Sequence, residues 1–193
     1  MRYISSRTKL TAIIGLSALI VCGVVAYADS IPTFLAIGTN ADAPIVSGPA
    51  TVTFRHLRTT PGDQGAWHYH PAFVHNVVTA GTIKIQDGCG TERSYSMGQA
   101  FETSEGRVHR AINEGTVDAV EYNVFIRQEG KPLTRLIPNN EQRCGPPSTV
   151  EECFDEGWKA FDFPSSFENQ GSCIKYVLQR PRVNLLVPED PLS

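Results

Sequence analysis

Four of the five histidines in the chain lie in two short stretches of sequence. His68 and His70 alternate in the first stretch, which also contains His75, and His109 lies in the second. Imidazole nitrogens bind divalent transition metals, and a third imidazole would complete a three-nitrogen site with open coordination positions. The pattern indicates one ion of Fe, Mn, Zn, Ni or Cu. For the first pair alone, two polar residues on a solvent face are the alternative.

Extended structure is needed to bring these histidines together. Side chains two residues apart project from the same face of a strand, so His68 and His70 would point the same way. Gly62 makes the approach to this strand tight, and Gly106 would turn the chain shortly before His109 enters a second strand. The site therefore requires two facing strands.

The region from about residue 51 to residue 127 has the composition of such strands. Short segments rich in Val, Ile, Thr, Phe and Tyr alternate with Gly-containing turns, and they lie at 51–57, 75–79, 82–86 and 117–126. Short strands at this spacing predict an all-β sandwich or barrel.

The first 28 residues have the features of a secretory signal peptide. Three basic residues precede an uncharged run at 10–25, and a small-x-small site ends at Ala28. An uncleaved anchor is one alternative, although a run of 16 residues is shorter than the roughly 20 that cross a bilayer. A lipoprotein signal at Cys22 is the other, and the branched Val21 disfavours it. Contact with a membrane is expected only through this segment, if it is uncleaved.

Cleavage would remove three basic residues and no acidic ones, leaving 14 basic against 20 acidic side chains. An acidic chain without a basic cluster excludes nucleic acid as a partner. The four remaining cysteines predict two disulfides among three possible connectivities, in a secreted or periplasmic protein. They are Cys89, Cys144, Cys153 and Cys173.

The composition changes at about residue 139. Residues 139–180 form a cysteine-containing module that is too short to build a large core unaided, so we expect disulfides to hold it. Residues 151–161 predict one short helix, capped by Ser148 or Thr149. The proline-containing residues 181–193 predict an extended tail.

Two sequence motifs, one around each histidine stretch, resemble the two motifs of the cupin superfamily and occur in the same order. The first comprises Gly62, His68-x-His70 and Gly81, and the second comprises Gly98, Ser104-x-Gly106, His109 and Asn113. The family usually has Pro where this chain has Ser104. The resemblance covers about residues 45–130 and implies a single jelly-roll β-barrel, which we place at 31–138. It also implies a metal site inside the mouth of the barrel, held by His68, His70 and His109.

One position departs from the resemblance. The first cupin motif normally supplies a Glu ligand, and counting back from Gly81 places Val74 there. His75 would substitute only if a bulge shifted the strand, because regular alternation from His70 points residue 74 inward and residue 75 outward. Three neutral imidazoles would leave the charge of the ion uncompensated and favour anionic ligands or hydroxide.

The other polar and aromatic residues near the motifs give weaker indications. Those that could line a pocket, although strand packing is the more frequent role, are Trp67, Tyr69, Phe73, Asn76, Phe101, Glu102, Tyr122 and Asn123. His56 is expected to be a strand residue rather than a ligand, and the Asn113 side chain is expected to fix a turn. No residue is clearly placed as a general acid or base.

The C-terminal module has a resemblance of its own. Residues 153–176 are similar to a "cysteine, Gly-Trp, Asn-Gln-Gly-x-Cys" segment found on exported bacterial proteins of varied kinds. That resemblance implies a Cys153–Cys173 disulfide with Trp158 packed over it, which would leave Cys89 for Cys144. A reactive thiol at Cys89 is the alternative.

Three functions remain open from the sequence. The first is a metal-dependent oxidoreductase of the dioxygenase type, which acts on a small organic substrate at the three-histidine site; some cupin oxygenases resemble this arrangement. The second is a non-catalytic protein that binds a sugar or organic acid in the barrel. The third is a structural module of the cell envelope. A homodimer is compatible with all three.

Overall fold

The computed structural model describes residues 31–40 and 48–180. The signal peptide predicted at 1–28 and the extended tail predicted at 181–193 lie outside these residues. Within the described ranges, no helix has both the length and the apolar character needed to cross a membrane.

In the described part of the chain, ten strands form two antiparallel sheets of five strands each. The first sheet has the order β1-β2-β9-β4-β7, and the second has the order β10-β3-β8-β5-β6. The strands are β1 (Ile31–Asn40), β2 (Ala50–Thr59), β3 (His68–Tyr69), β4 (Phe73–Ala80), β5 (Thr82–Asp87), β6 (Glu92–Ser96), β7 (Ala100–Thr103), β8 (His109–Ile112), β9 (Ala119–Gln128) and β10 (Arg135–Leu136).

Alternating burial shows which face of each strand is internal. In β4, Val74 and Val78 are 1% exposed, whereas His75 and Val77 between them face outward. Val78 packs in one buried cluster with Ile83 of the opposite sheet, so the two inner faces meet in a shared core. The predicted all-β barrel is confirmed by this arrangement.

The turns that close the barrel are fixed by backbone contacts. Gly62 donates a backbone hydrogen bond to the Asn113 carbonyl oxygen. The fully buried Asn113 side chain donates to the carbonyl oxygens of Thr59 and Val117 and accepts from Gly115. The prediction that Asn113 fixes a turn is therefore confirmed.

The prediction of a single short helix at 151–161 is wrong. The chain instead forms two 3₁₀ turns, Glu151–Cys153 and Gly157–Ala160. Asp155 and Glu156 between them have φ values of 49° and 64°, a left-handed conformation that ends any right-handed helix.

The α-helix of this region lies further on, at α1 (Gln170–Gln179). Asn169 caps it, because its side chain accepts from the Ser172 backbone while the Ser172 hydroxyl accepts from the Asn169 backbone.

Two disulfides hold the C-terminal extension, which we define as residues 139–180. Cys89–Cys144 connects it to the turn between β5 and β6, and Cys153–Cys173 connects the first 3₁₀ turn to α1. Both predicted pairs are thus present, and Trp158 packs against the cluster that they form.

Candidate metal centre

The strand register brings the histidines together. His68 on β3 lies directly opposite His109 on β8 in the second sheet, at a separation where side chains on the same face touch. His70 is two residues beyond His68, and its carbonyl oxygen accepts a hydrogen bond from the Gly106 backbone at 2.9 Å. Gly106 has a φ of +78°, which suits glycine, and it starts the turn that leads into β8. The two motifs are therefore physically joined.

The three rings form a compact cluster. The ring centroids are separated by 4.5 Å for His68 and His109, 4.9 Å for His68 and His70, and 5.1 Å for His70 and His109. One nitrogen from each ring can be chosen so that all three lie within 4.8 Å of one another. His70 and His109 are buried, and His68 is half-buried at the cavity wall.

Each ring is oriented by a backbone carbonyl oxygen on its Nδ1 side. Nδ1 of His68 lies 2.8 Å from the Ala66 oxygen, Nδ1 of His70 lies 2.9 Å from the Leu133 oxygen, and Nδ1 of His109 lies 2.9 Å from the Arg107 oxygen. A carbonyl oxygen only accepts, so each Nδ1 carries the proton. Nε2 of each ring is then the atom with a lone pair for an ion, as in metal-binding histidines.

Burial keeps these rings neutral. It lowers the pKa of His68 to about 3 and that of His109 to about 4, and it holds the pKa of His70 well below its usual value. Proximity to His109 lowers the pKa values of His68 and His70 further. A neutral imidazole is the form that binds a metal ion, so the cluster suits a divalent cation without prior loss of a proton.

His75 is not part of the cluster. It is exposed on β4, where its neighbours Val74 and Asn76 are buried and face the interior. The strand keeps regular alternation from Phe73 to Val78, without a bulge that would turn His75 inward. Val74 packs with Phe125 in an apolar cluster. At the position that the cupin resemblance assigns to a carboxylate ligand, this chain therefore has an apolar side chain.

A cavity of about 340 Å³ opens between the two sheets beside the histidines. All three histidines line it, and so do residues from both inner faces. Its apolar wall includes Leu57, Ile85, Phe101 and Ala111, and its polar wall includes Arg55, Asn76, Thr103 and Glu121. A small organic molecule would fit this volume next to the Nε2 atoms.

A buried polar network forms part of the cavity wall. Arg55 Nε donates to Asn123 Oδ1 at 2.8 Å, and Asn123 Nδ2 donates to Asn76 Oδ1 at 2.7 Å. Asn123 also lies 3.4 Å from a carboxylate oxygen of Glu121. Burial raises the pKa of Glu121 to about 7, although the nearby Arg55 opposes the shift. A carboxyl group with such a pKa can exchange a proton near neutral pH.

Sequence reasoning missed Arg55 and Glu121. The available signal was the two-residue alternation of side chains along a strand. Glu121 lies on the same face of β9 as Ala119, Asn123 and Phe125, which are all buried. Arg55 likewise alternates with the buried Thr53 and Leu57 of β2, and lines the cavity.

The other pocket candidates separate into three groups. Asn76 and Phe101 line the cavity, and Asn123 supports it through hydrogen bonds. Tyr122 and Glu102 are exposed, Phe73 is half-buried, and the His56 ring lies 5.1 Å from that of Tyr122. The remaining two pack elsewhere, Trp67 against Val108 and Ile137, and Tyr69 against Phe163.

Comparison with solved structures identifies similar folds. A cupin domain from Bordetella pertussis Tohama I is 21% identical, with 51% of this chain and 94% of that chain covered, at a TM-score of 0.40. A protein with a double-stranded β-helix domain from Klebsiella pneumoniae subsp. pneumoniae MGH 78578 is 20% identical, with 57% and 86% covered, at a TM-score of 0.43. Oxalate oxidase in complex with glycolate is 22% identical, with 45% and 46% covered, at a TM-score of 0.40.

The chain therefore spans less than half the length of that oxalate oxidase. No protein-family model and no curated protein matches the sequence. At these identities and TM-scores the matches carry no argument about family, substrate or reaction, so the function must be argued from the side chains of the site.

Proposed function

We propose that this chain is an exported, metal-binding cupin that uses one divalent transition metal to act on a small organic molecule in its barrel. The ligands are Nε2 of His68, His70 and His109. The reaction class is oxidative, of the dioxygenase type, and the protein works in the periplasm or outside the cell.

The observation that carries this proposal is the joint orientation of the three imidazoles. Their Nδ1 atoms lie 2.8–2.9 Å from backbone carbonyl oxygens, so the Nε2 lone pairs are the ones left for an ion. The three neutral rings lie so close that one nitrogen of each is within 4.8 Å of the others, and no ring receives a hydrogen-bond donor from the other two. A cation in the centre would satisfy all three.

A metal ion bound there would act as a Lewis acid toward a ligand in its open coordination positions or, if it were iron, take part in oxygen chemistry. The chain supplies the surroundings. The apolar wall formed by Leu57, Ile85 and Phe101 would displace water from the body of a bound substrate, and Glu121 can accept or release a proton at its carboxylate. A proton-exchanging group that lines the same cavity as the histidines favours an enzyme over a binding protein or a structural module.

Export is supported by the two disulfides. Cys89–Cys144 and Cys153–Cys173 account for every cysteine that follows the predicted signal peptide. Disulfides persist mainly in oxidising compartments. A cleaved signal peptide at Ala28 is the matching expectation, and mass spectrometry of the protein recovered from the periplasm or medium would measure the new N-terminus.

Elemental analysis of protein made without a His tag tests the metal site. We expect about one divalent metal ion per chain, and we expect the His68→Ala/His70→Ala variant to lose it. His75→Ala is the matched control, because it removes an exposed imidazole from a nearby strand and should retain the ion. A metal-free wild-type protein, after expression with each candidate metal, would refute the proposal.

The identity of the metal then tests the reaction class. Iron, with oxygen consumption on addition of a substrate, would support the dioxygenase assignment. Zinc as the only metal that binds stably would refute oxygen chemistry, because zinc has no redox chemistry.

A further inference from the structure

We propose that Arg55 binds the carboxylate of the substrate, so that the molecules taken up by the cavity are small organic acids with an apolar body. This inference rests on the proposed function for the location of the reaction, but it concerns a different residue and a different binding step.

Arg55 is on the inward face of its strand, as this role requires. It lies on β2 between Thr53 and Leu57, which are buried against the interior, and its side chain lines the same cavity as the three histidines. Strand β2 pairs with β9 in a register that sets Arg55 opposite Asn123. The guanidinium therefore reaches the cavity from the first sheet, whereas His68 and His109 reach it from the second.

The guanidinium retains donors that the protein does not use. Its Nε atom donates to Asn123 Oδ1, and its carbon lies 4.6 Å above the centre of the Phe125 ring. Among residues 31–40 and 48–180, no other hydrogen bond and no salt bridge involves the guanidinium of Arg55. A guanidinium has five N–H donors in a fork that fits a carboxylate, so the Nη groups remain for a ligand.

Glu121 does not neutralise Arg55 fully. The charge of its carboxylate favours the protonated guanidinium and raises the pKa of Arg55, yet the two side chains do not form a salt bridge. Burial raises the pKa of Glu121 to about 7 and lowers that of Arg55 only to about 10. At neutral pH the guanidinium is therefore charged, while part of the Glu121 population is protonated. An anion entering the cavity would compensate the remaining positive charge.

The rest of the cavity defines the body of the ligand. Leu57, Phe101 and Ala111 offer apolar surface, and the volume of about 340 Å³ accommodates a small molecule. A carboxylate on Arg55 would lie on the first sheet and leave the apolar part of the molecule extending toward the histidines. Neutral sugars would instead leave the charge of Arg55 without a partner.

Binding of benzoate and benzamide, measured by calorimetry, tests the inference without any activity assay. The two probes have the same shape and differ in the charge of one group. We expect the wild-type protein to prefer benzoate, and we expect Arg55→Gln to weaken benzoate binding about tenfold or more while leaving benzamide unchanged. Arg58→Gln is the matched control, because Arg58 lies on the same strand but pairs with Asp118 outside the cavity.

A second variant separates binding from folding. Arg55→Gln leaves Glu121 without its cation, whereas Arg55→Gln/Glu121→Gln replaces the pair with neutral groups of similar size. We expect the double variant to fold and to lose the preference for benzoate. Benzoate binding to the double variant with wild-type affinity would overturn the inference.

Titration of metal-free protein distinguishes the role of Arg55 from that of the metal. The titrations are repeated on protein stripped of metal with a chelator, where the difference between wild type and Arg55→Gln should persist. A preference for benzoate that disappears with the metal and is insensitive to Arg55 would overturn the inference while supporting the metal site. An Arg55-dependent preference in a chain that binds no metal would support the inference and refute the proposed function.

Discussion

The barrel and the C-terminal extension keep their structures by different means. The barrel buries Val74, Val78, Ile83 and Phe125 between paired strands. In the buried cluster of the extension, three of the five residues are half-cystines. Short 3₁₀ turns and one helix of ten residues supply little apolar surface, so the extension depends on covalent links.

This difference explains where chemistry can be placed. Strand pairing holds the barrel through its backbone, which frees several inward side chains for polar roles at the cavity. Arg55 and Glu121 are unfavourable to bury, and a region with a small core would not tolerate them. In the extension the interior positions are apolar or half-cystine.

Removal of the Cys153–Cys173 disulfide should have the largest effect and should be confined to the extension. The bridge closes a loop with a sequence separation of 20 residues, for which loop entropy gives a loss of about 3 kcal/mol. We expect Cys153→Ala/Cys173→Ala to increase hydrogen exchange in α1 and to leave metal content unchanged. Loss of the metal in this variant would show that the two regions are not independent.

The pH dependence of stability should report the polar interior of the barrel. The pKa of Glu121 is raised from 4.5 to about 7 in the folded protein, where Arg55 and the three histidines share its cavity. Between these two pH values the native state therefore binds more protons than the unfolded state. The stabilisation that the protonated Glu121 carboxyl gives at low pH is lost as the pH rises. The loss amounts to about 3 kcal/mol by pH 8.

Denaturant unfolding of Glu121→Gln between pH 4 and pH 8 measures this effect. The variant cannot titrate at this position, so its free energy of unfolding should gain on that of the wild type as the pH rises. Glu102→Gln, on the exposed face of β7, is the control and should follow the wild type. Parallel pH profiles for Glu121→Gln and wild type would contradict the raised pKa.

Asn113→Ala should destabilise the barrel by about 2 kcal/mol, because it removes three hydrogen bonds made by a fully buried side chain. These bonds join it to the carbonyl oxygens of Thr59 and Val117 and to the amide of Gly115. Thermal unfolding of the whole chain measures the change. A shift confined to the extension would contradict the assignment of this asparagine to the barrel.

Asn169→Ala should have the smallest effect, about 1 kcal/mol, because it removes only the N-terminal cap of α1. Thermal melting of the helical circular dichroism signal, with the disulfides intact, measures this loss of stability. Asn169→Asp keeps a capping oxygen and should behave as the wild type. Equal melting of the Ala and Asp variants would show that the cap does not hold the helix.

The sequence predicted several of the strands and the proximity of His68, His70 and His109 because these signals are local. Two-residue alternation at His68 and His70 and a turn at Gly106 are readable without knowing any partner strand. Arg55 and Glu121 are not readable in this way, since their roles depend on β2 pairing with β9 and on which face is internal. A charged residue in a strand pattern ordinarily indicates the solvent side.

The extension shows the opposite limit. Acidic residues at 151 and 152 after a Ser-Thr pair resemble a helix start, but the Glu152 carboxylate accepts from the backbones of Ser148 and Thr149 and fixes a turn instead. The helix forms at Asn169, where Ser172 completes a reciprocal cap. Both stretches contain capping residues. The left-handed backbone of Asp155 and Glu156 prevents a continuous helix in the first stretch.

The alternation in β4 limits how this barrel can evolve. Val74 and Asn76 face inward and His75 faces outward, so a single-residue deletion between Pro71 and Val74 would exchange the two faces of the strand. It would bring an imidazole inside at the cost of the apolar contact between Val74 and Phe125. A further metal-binding side chain inside the barrel is therefore gained more easily by substitution at position 74 than by a one-residue shift of this strand.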